Sequence, residues 1–246
     1  MLIPLEQLPH RKIRGIIHIG AHEAEELDAY LKPGINEALW IEANPSLYPL
    51  LRQKLARFTQ MRLGEFAAGE ETGVGMLNVA NNGQSSSLLE LGTHQQDHPD
   101  ISFTRTERVY IQPVDQWLES LGIDRSIYSF VNLDVQGYEL SALKGMSSQL
   151  RHVDYVYTEV NRREVYRACA QKSDIDRYLA INGLHRAVTA MTAYGWGDAL
   201  YARQRHKRLW PSFHLKNGFR PAKDSSLKPL KIIWRLLKDR IRPRSK

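Results

Sequence analysis

Cysteine and long apolar runs are both scarce in this chain of 246 residues. The single cysteine, Cys169, excludes an internal disulfide and a zinc site built from several cysteines, and it fits a reducing compartment. No apolar run approaches the roughly 20 residues that a membrane-spanning helix needs. Charged residues at Glu6, Arg11 and Arg14 interrupt the first segment, so we expect no secretory signal. These features predict a cytoplasmic protein.

Acidic residues are scarce near the C-terminus and abundant elsewhere. Residues 203–246 contain fifteen Lys and Arg but only two acids, a balance of +13, whereas residues 1–202 carry −6. The composition is 42% hydrophobic and 25% charged, which is typical of a globular chain that buries a sizeable core. The sequence therefore predicts an acidic body with a basic tail, and the tail needs its own explanation.

Short apolar runs alternate with segments of helical periodicity along the body. The pattern predicts strands at 15–19, 38–41, 61–67, 74–79, 87–91, 108–111, 128–133, 153–160, 185–190 and 199–203. It predicts helices at 24–31, from Asn44 onwards, at 115–121, directly after Gly137, and at 174–181. Alternation of this kind is typical of a three-layer α/β fold with a parallel sheet.

These elements predict a Rossmann-like α/β fold, and a mostly parallel sheet closed by a hairpin resembles the sheet of class I methyltransferases. We expect a mostly parallel, seven-stranded sheet with helices on both faces and a C-terminal antiparallel β-hairpin that adds an antiparallel edge strand. We assign residues 1–203 to this domain, with 73–112 as an elaboration over the cleft. Residues 204–246 form a basic C-terminal extension that contains an amphipathic helix.

Glycine is scarce in the turn after the first strand, where only Gly20 is present before Ala21 and Ala24. A dinucleotide fold uses G-x-G-x-x-G there to approach a pyrophosphate, and a P-loop uses a lysine and a hydroxyl. The turn matches neither, which favours a nucleoside cofactor without phosphates. Glu42 ends the second strand, where an acid can accept hydrogen bonds from both ribose hydroxyls, although it could also be an ordinary acid at a helix start.

Six short motifs in order carry a resemblance to a known family. The chain resembles the FkbM-type methyltransferases from about residue 13 to 202, through segments 18–22, 41–45, 85–88, 114–118, 133–145 and 157–161. The resemblance implies S-adenosylmethionine as cofactor and O-methylation of a sugar or polyketide-type hydroxyl. The chain departs from the family pattern at His18, where an acid or amide is typical, and at Ala24, where a glycine is common.

The predicted cofactor contacts come from the turns that follow the first strands and from the acid after the central strand. They are His18, Gly20, Ala21, His22, Glu42, Ala43, Asn44, Ala67, Ala68 and Asp134.

Asp134 is the principal catalytic candidate, because it follows a buried strand and an alcohol needs a base to take its proton. It could instead cap the next helix. Glu159 and His22 are the other catalytic candidates, and the predicted substrate contacts are Ser86, Ser87, Gln136, Tyr138 and Glu159. A Mg²⁺ site formed by Asp134, Glu159 and Asn161 is a less favoured alternative, so we assign no metal.

The basic tail allows more than one interpretation. Residues 227–242 place Leu230, Ile233, Trp234 and Leu237 on one helical face and basic residues beside it. Such a helix can lie on an anionic membrane surface at the inner face or dock on the body. The alternatives to the proposed activity are a nucleic-acid methyltransferase that uses the tail and an inactive cofactor-binding scaffold. A nucleic-acid substrate is disfavoured because the body is acidic. The departure from the family pattern at His18 is the reason to retain the alternative of an inactive scaffold.

Overall fold

Ten strands and six helices make up the described part of the chain. The computed structural model describes Leu5, Leu8 and residues 13–203. The strands are β1 (Gly15–Ile19), β2 (Glu37–Glu42), β3 (Met61–Glu65), β4 (Ala67–Ala68), β5 (Gly73–Ala80), β6 (Phe103–Gln112), β7 (Tyr128–Leu133), β8 (Tyr155–Asn161), β9 (Leu184–Met191) and β10 (Trp196–Arg203). The helices are α1 (Leu27–Leu31), α2 (Tyr48–Leu55), α3 (His94–Asp97), α4 (Val114–Leu121), α5 (Glu139–Lys144) and α6 (Lys172–Ile181).

The main sheet has seven strands in the order β3-β2-β1-β7-β8-β10-β9. Only β10 runs antiparallel to its neighbours, β8 and β9, so the sheet is mostly parallel and ends in an antiparallel hairpin. This arrangement confirms the predicted Rossmann-like fold. The antiparallel strand is not the edge, however, because β10 inserts between β8 and β9. The central position of β10 leaves it largely buried, whereas β9 at the edge is mostly half-exposed.

Two apolar clusters, one on each face of the sheet, form the core. Strand β1 supplies both, because Ile16 belongs to one cluster and Ile17 and Ile19 to the other. Helices α1 and α2 cover the first face, and α4, α5 and α6 cover the second. All five residues of β1 are buried, as a strand covered on both faces must be.

A second sheet of three strands, in the order β4-β6-β5, stands beside the first. The predicted strand at 61–67 is therefore wrong as a single element: it ends at Glu65, and Ala67 and Ala68 pair with β6 instead. The predicted strand at 87–91 is also wrong. That segment makes only single bridges, through Ser87 and Leu91, because its polar groups bond within the loop and to the residues after β7.

The first helix begins later than predicted. Residue Ala24 has a left-handed backbone with φ of 51°, so the chain turns there and α1 starts only at Leu27. The predicted extension 204–246 and its amphipathic helix at 227–242 lie outside the described residues. None of the helices in the described part of the chain has the length and apolar character needed to cross a membrane.

Candidate active site

A cavity of about 840 Å³ opens at the carboxyl ends of the parallel strands. It is bordered by Gly20 after β1, Glu42 at the end of β2, Asp134 after β7 and Glu159 near the end of β8. Ligands of open α/β sheets bind in this crevice, because the turns that follow the strands converge there. Residues of the 82–88 loop close the cavity from above the sheet.

The turn after β1 brings the backbone close to the neighbouring strands. Gly20 has φ of +85°, and a Cβ atom added to it would lie 1.9 Å from the carbonyl oxygen of Asp134. The N–H groups of Gly20 and Ala21 both donate to the carbonyl of Ile41, at 2.9 and 3.0 Å. Only glycine fits at this position, so the turn is fixed close to both β2 and β7.

Glu42 joins the first two turns. One carboxylate oxygen accepts the N–H of His22 and the other that of Asn44, both at 2.7 Å. Burial raises the pKa of Glu42, and the two backbone N–H groups oppose the rise. Each oxygen keeps a second acceptor site toward the cavity. The carboxylate can therefore hold the turns and still bind paired hydroxyls.

His18 belongs to a buried polar network beneath the turn after β1. Its Nδ1 lies 3.0 Å from the hydroxyl of Tyr30, which accepts a hydrogen bond of 2.9 Å from Asn132. The ring also packs against Trp40, with 4.8 Å between centroids. Burial lowers the pKa of His18, which keeps the imidazole neutral. His18 borders the cavity, but its ring is engaged mainly with the core.

His22 lies at the mouth of the cavity with a left-handed backbone, φ of 46°. Its Nδ1 is 3.1 Å from a carboxylate oxygen of Glu25, and this contact raises the pKa of the imidazole. A general base must be unprotonated before it can accept a proton from the reacting group. The contact with Glu25 favours the protonated ring, which leaves His22 poorly suited to that task.

Three acids meet on the sheet side of the cavity, namely Asp134, Glu159 and Asp198. Glu159 and Asp198 lie directly opposite each other in the pairing of β8 with β10. Burial raises the pKa of all three; for Glu159 the repulsion from Asp134 adds to the rise, and the pKa of Asp198 reaches about 7. Mutual repulsion therefore disfavours the state in which all three acids are ionised.

Gln136 connects two of these acids. Its amide nitrogen donates to Asp134 at 2.5 Å and lies 3.4 Å from Glu159, while its amide oxygen accepts from the Tyr166 hydroxyl at 2.6 Å. Gln136 has φ of 53° and is followed by Gly137 with φ of 100°, so the tight turn after β7 aims the amide into the cleft. Glu139 holds this turn by accepting the N–H groups of Val135 and Gly137.

The remaining predicted residues also border the cavity. Asn44, Ala67 and Ala68 are buried at the cavity wall that Ala43 also borders, and Tyr138 borders the cavity together with Asp134. Ser86 and Ser87 lie in the loop above, but their hydroxyls donate to the carbonyls of Gly83 and Gln136. The serines therefore shape the wall chiefly through the loop they hold together.

The sequence reasoning missed several cavity residues. Tyr166 and Asp198 come from segments after β8, and the aromatic wall adds His94, His98 and Trp196. No local pattern marks them, because the sheet order and the packing of α3 bring them to the cleft. The position of Asp198 opposite Glu159 follows from the insertion of β10 beside β8.

No Lys or Arg side chain borders the cavity in the described part of the chain, whereas six acids do. Within the same residues no group of three or more His, Cys, Asp or Glu side chains is placed to hold a metal ion. Asn161, the third member of the alternative Mg²⁺ set, is fully buried behind Glu159. The cleft therefore suits a ligand that is cationic or rich in hydroxyls.

Comparison with known proteins places this chain in a family. The chain is 22% identical over 159 residues to the 2-O-methyltransferase NoeI of Sinorhizobium fredii, covering 61% of this chain and 65% of NoeI, so it spans just under two thirds of that relative. A methyltransferase FkbM structure from Methylobacillus flagellatus is 17% identical with a TM-score of 0.49, covering 79% of this chain and 45% of the other. A SAM dependent methyltransferase from Aquifex aeolicus is 10% identical with a TM-score of 0.42, covering 80% and 86%. The methyltransferase FkbM domain matches residues 18–187, which are more than half of this chain. The chain therefore belongs to the FkbM methyltransferase family.

Proposed function

We propose that this chain is an S-adenosylmethionine-dependent O-methyltransferase acting on a hydroxyl of a sugar, a glycan or a polyketide-type metabolite. One observation carries the proposal: Glu42 and Asp134 border a single cavity of about 840 Å³ that no Lys or Arg in the described residues lines. A cavity of this size accommodates a nucleoside cofactor together with part of an acceptor. Its acidic wall favours a cofactor that carries positive charge and no phosphate.

The residues of the first three turns fit this cofactor. Glu42 would accept the ribose hydroxyls, and the absence of a Cβ at Gly20 leaves the backbone turn close to the ligand. The half-buried Ala43 and the buried Ala67 and Ala68 would border the adenine ring of the cofactor. When bound, S-adenosylmethionine supplies an electrophilic methyl group to the acceptor oxygen.

Asp134 would take the proton of the acceptor hydroxyl. The hydroxyl proton would move to the Asp134 carboxylate as the bound cofactor supplied its methyl group to the acceptor oxygen. Burial raises the pKa of Asp134, which makes the carboxylate a stronger base than an exposed aspartate. Glu159, with a pKa well above its ordinary value, would remain protonated and donate to the acceptor.

The side chains on the acceptor side support a hydroxylated, uncharged substrate. Tyr138, Tyr157 and Trp196 offer aromatic faces, and Asp198 and Glu159 offer hydrogen-bonding groups to several hydroxyls. The printed name of NoeI, a 2-O-methyltransferase, is consistent with hydroxyl methylation. A nucleic-acid acceptor is less well supported, because phosphates would meet six acids and no lining cation in the described residues.

The test is calorimetric binding of S-adenosylmethionine to the wild type, Glu42→Gln and Glu65→Gln. We expect micromolar binding by the wild type and at least tenfold weaker binding by Glu42→Gln, which loses acceptors for ribose and for the turns. Glu65 ends the adjacent strand in register with Glu42 but lies outside the cavity, so its variant should bind normally. A folded wild type that binds no S-adenosylmethionine contradicts the proposal and favours the scaffold alternative.

We further propose that residues 227–242, which lie outside the described residues, contact an anionic membrane surface. The support is in the sequence: an apolar helical face beside a basic stripe, in a tail with a balance of +13. Membrane contact would bring the cleft to a lipid-linked acceptor.

A further inference from the structure

The amide of Gln136 has one orientation that satisfies all of its neighbours. The hydroxyl of Tyr166 lies 2.6 Å from the amide oxygen, and carboxylate oxygens of Asp134 and Glu159 lie 2.5 and 3.4 Å from the amide nitrogen. A turned amide would place its oxygen 2.5 Å from a carboxylate oxygen of Asp134, and an ionised carboxylate can only accept hydrogen bonds. The Asp134 carboxylate and the Tyr166 hydroxyl, 2.6 Å from the amide oxygen, therefore together determine which end of Gln136 faces the carboxylates.

Tyr166 is itself held firmly. The side chain is fully buried, its hydroxyl is also within 3.3 Å of the carbonyl of Ser85, and its ring packs against His94 at 5.5 Å between centroids. Ser87 fixes the other side of Gln136 by donating to its backbone carbonyl at 2.7 Å. The loop above the cavity and the segment after β8 thus both determine the position of one side chain.

We propose that Gln136, oriented by Tyr166, is a positioning residue that holds the carboxylates of Asp134 and Glu159 together at the acceptor side of the cleft. The inference rests on the proposed function, because it takes Asp134 as the proton acceptor. The amide donates to Asp134 without adding charge, so Asp134 can remain ionised beside a protonated Glu159. A base that is fixed in place reacts faster than one that must first be aligned.

The charged groups around Asp134 determine the direction of the expected change. Four acids disfavour the ionised form of Asp134: Glu139 from α5, Glu159 from β8, Asp198 from β10 and Glu26 before α1. His22 favours the ionised form. Among the neutral groups, the Gln136 amide lowers the pKa of Asp134, against a larger rise from burial. Removing the amide leaves the repulsion unopposed on this side, so the pKa of Asp134 must rise.

The test is a carboxyl titration by carbon-13 NMR of protein labelled in Asp and Glu, from about pH 4 to 9, with Asp134→Asn to assign the signal. We expect Gln136→Met to raise the Asp134 midpoint by about one pH unit, a tenfold change in proton affinity. Tyr166→Phe should raise it by less, because the amide remains but can turn. Tyr178→Phe removes a hydroxyl that bonds to Leu143 outside the cavity, so it should leave the midpoint unchanged.

The proposal is overturned if the titration midpoint of Asp134 is unchanged in both folded variants, Gln136→Met and Tyr166→Phe. If Gln136→Met does not fold, the midpoint in Tyr166→Phe alone decides the matter. The readout needs neither cofactor nor acceptor, so it is separate from the test of the proposed function. A wild type that binds no S-adenosylmethionine would refute the methyltransferase activity even if the titration moved. Once an acceptor is identified, the pH at which the rate of methyl transfer falls on the acid side should be higher in Gln136→Met than in the wild type.

Discussion

Gly20 and Gly34 share a backbone conformation but have different surroundings. Their φ angles are +85° and +82°, yet a Cβ at Gly20 would lie 1.9 Å from the Asp134 carbonyl oxygen, whereas one at Gly34 would meet nothing within 4 Å. The two positions therefore separate the cost of the left-handed backbone from the cost of a steric clash with the turn that follows β7.

We predict that Gly20→Ala lowers the free energy of unfolding by several kcal/mol, because β1 and β7 must move apart, and weakens S-adenosylmethionine binding by more than tenfold. Gly34→Ala should cost only about 1 kcal/mol, the penalty for a left-handed alanine, and should bind normally. Chemical denaturation and calorimetry measure both quantities. Equal losses of stability in the two variants would refute the clash as the cause.

Residue types at strand ends could be predicted from the sequence, but their partners could not. Gly20, Glu42 and Asp134 stand at the ends of apolar runs, and the structure brings all three to one cavity. The sequence gives no local signal that Tyr166 bonds to Gln136, because they come from segments thirty residues apart on either side of β8. Hydrogen-bond partners of this kind follow from packing, which periodicity does not encode.

At the scale of elements, strands β1, β2, β7 and β8 of the parallel sheet were predicted well because each is a short and almost entirely buried run. Bounds agree for β1 and β7 and differ by one or two residues for β2 and β8. The hairpin was predicted too, but not its insertion, because both strands have similar patterns and only the tertiary contacts decide which one lies inside. The strand predicted at 87–91 is wrong for a different reason: the hydroxyl of its one serine, Ser87, bonds to the backbone of Leu89 and Gln136, and the segment makes only single bridges.

The pairing of β10 with β8 has a pH-dependent consequence. Burial raises the pKa of Asp198 to about 7, whereas an unfolded aspartate releases its proton near pH 4. Between about pH 4 and 7 the folded protein therefore binds more protons than the unfolded one, so the contribution of this group to stability falls as pH rises. The loss is complete above about pH 7, where the folded protein must ionise Asp198 opposite Glu159.

We predict that Asp198→Asn raises the free energy of unfolding at pH 8 by on the order of 2 kcal/mol and changes it little at pH 4. Asparagine keeps an acceptor for the side chain of Tyr157, which bonds to Asp198 in the wild type. Thermal unfolding at both pH values checks the result, with exposed Asp100→Asn as the control that should show no such difference. A gain of the same size at both pH values would mean that packing, not ionisation, is responsible.

At the scale of the whole molecule, charge is separated along the chain. The cleft is lined by acids, while residues 203–246 carry +13. Opposite charges in one chain suggest two tasks: the acidic cleft selects the ligand, and the basic tail selects a location. Each basic residue near an anionic bilayer contributes about 1 kcal/mol, which is the physical basis for the membrane contact proposed for the tail.

We predict that the full chain floats with vesicles containing anionic lipid at low salt and that removal of residues 221–246 abolishes flotation without changing S-adenosylmethionine binding. Flotation should decline as salt screens the charges, and neutral vesicles should not bind. A full-length variant with Lys231, Arg235, Lys238 and Arg242 replaced by glutamine retains the apolar face, so its release would show that charge is required. Flotation unchanged by truncation refutes the tail as the anchor, and tail-dependent binding to RNA or DNA in preference to vesicles would support the nucleic-acid alternative instead.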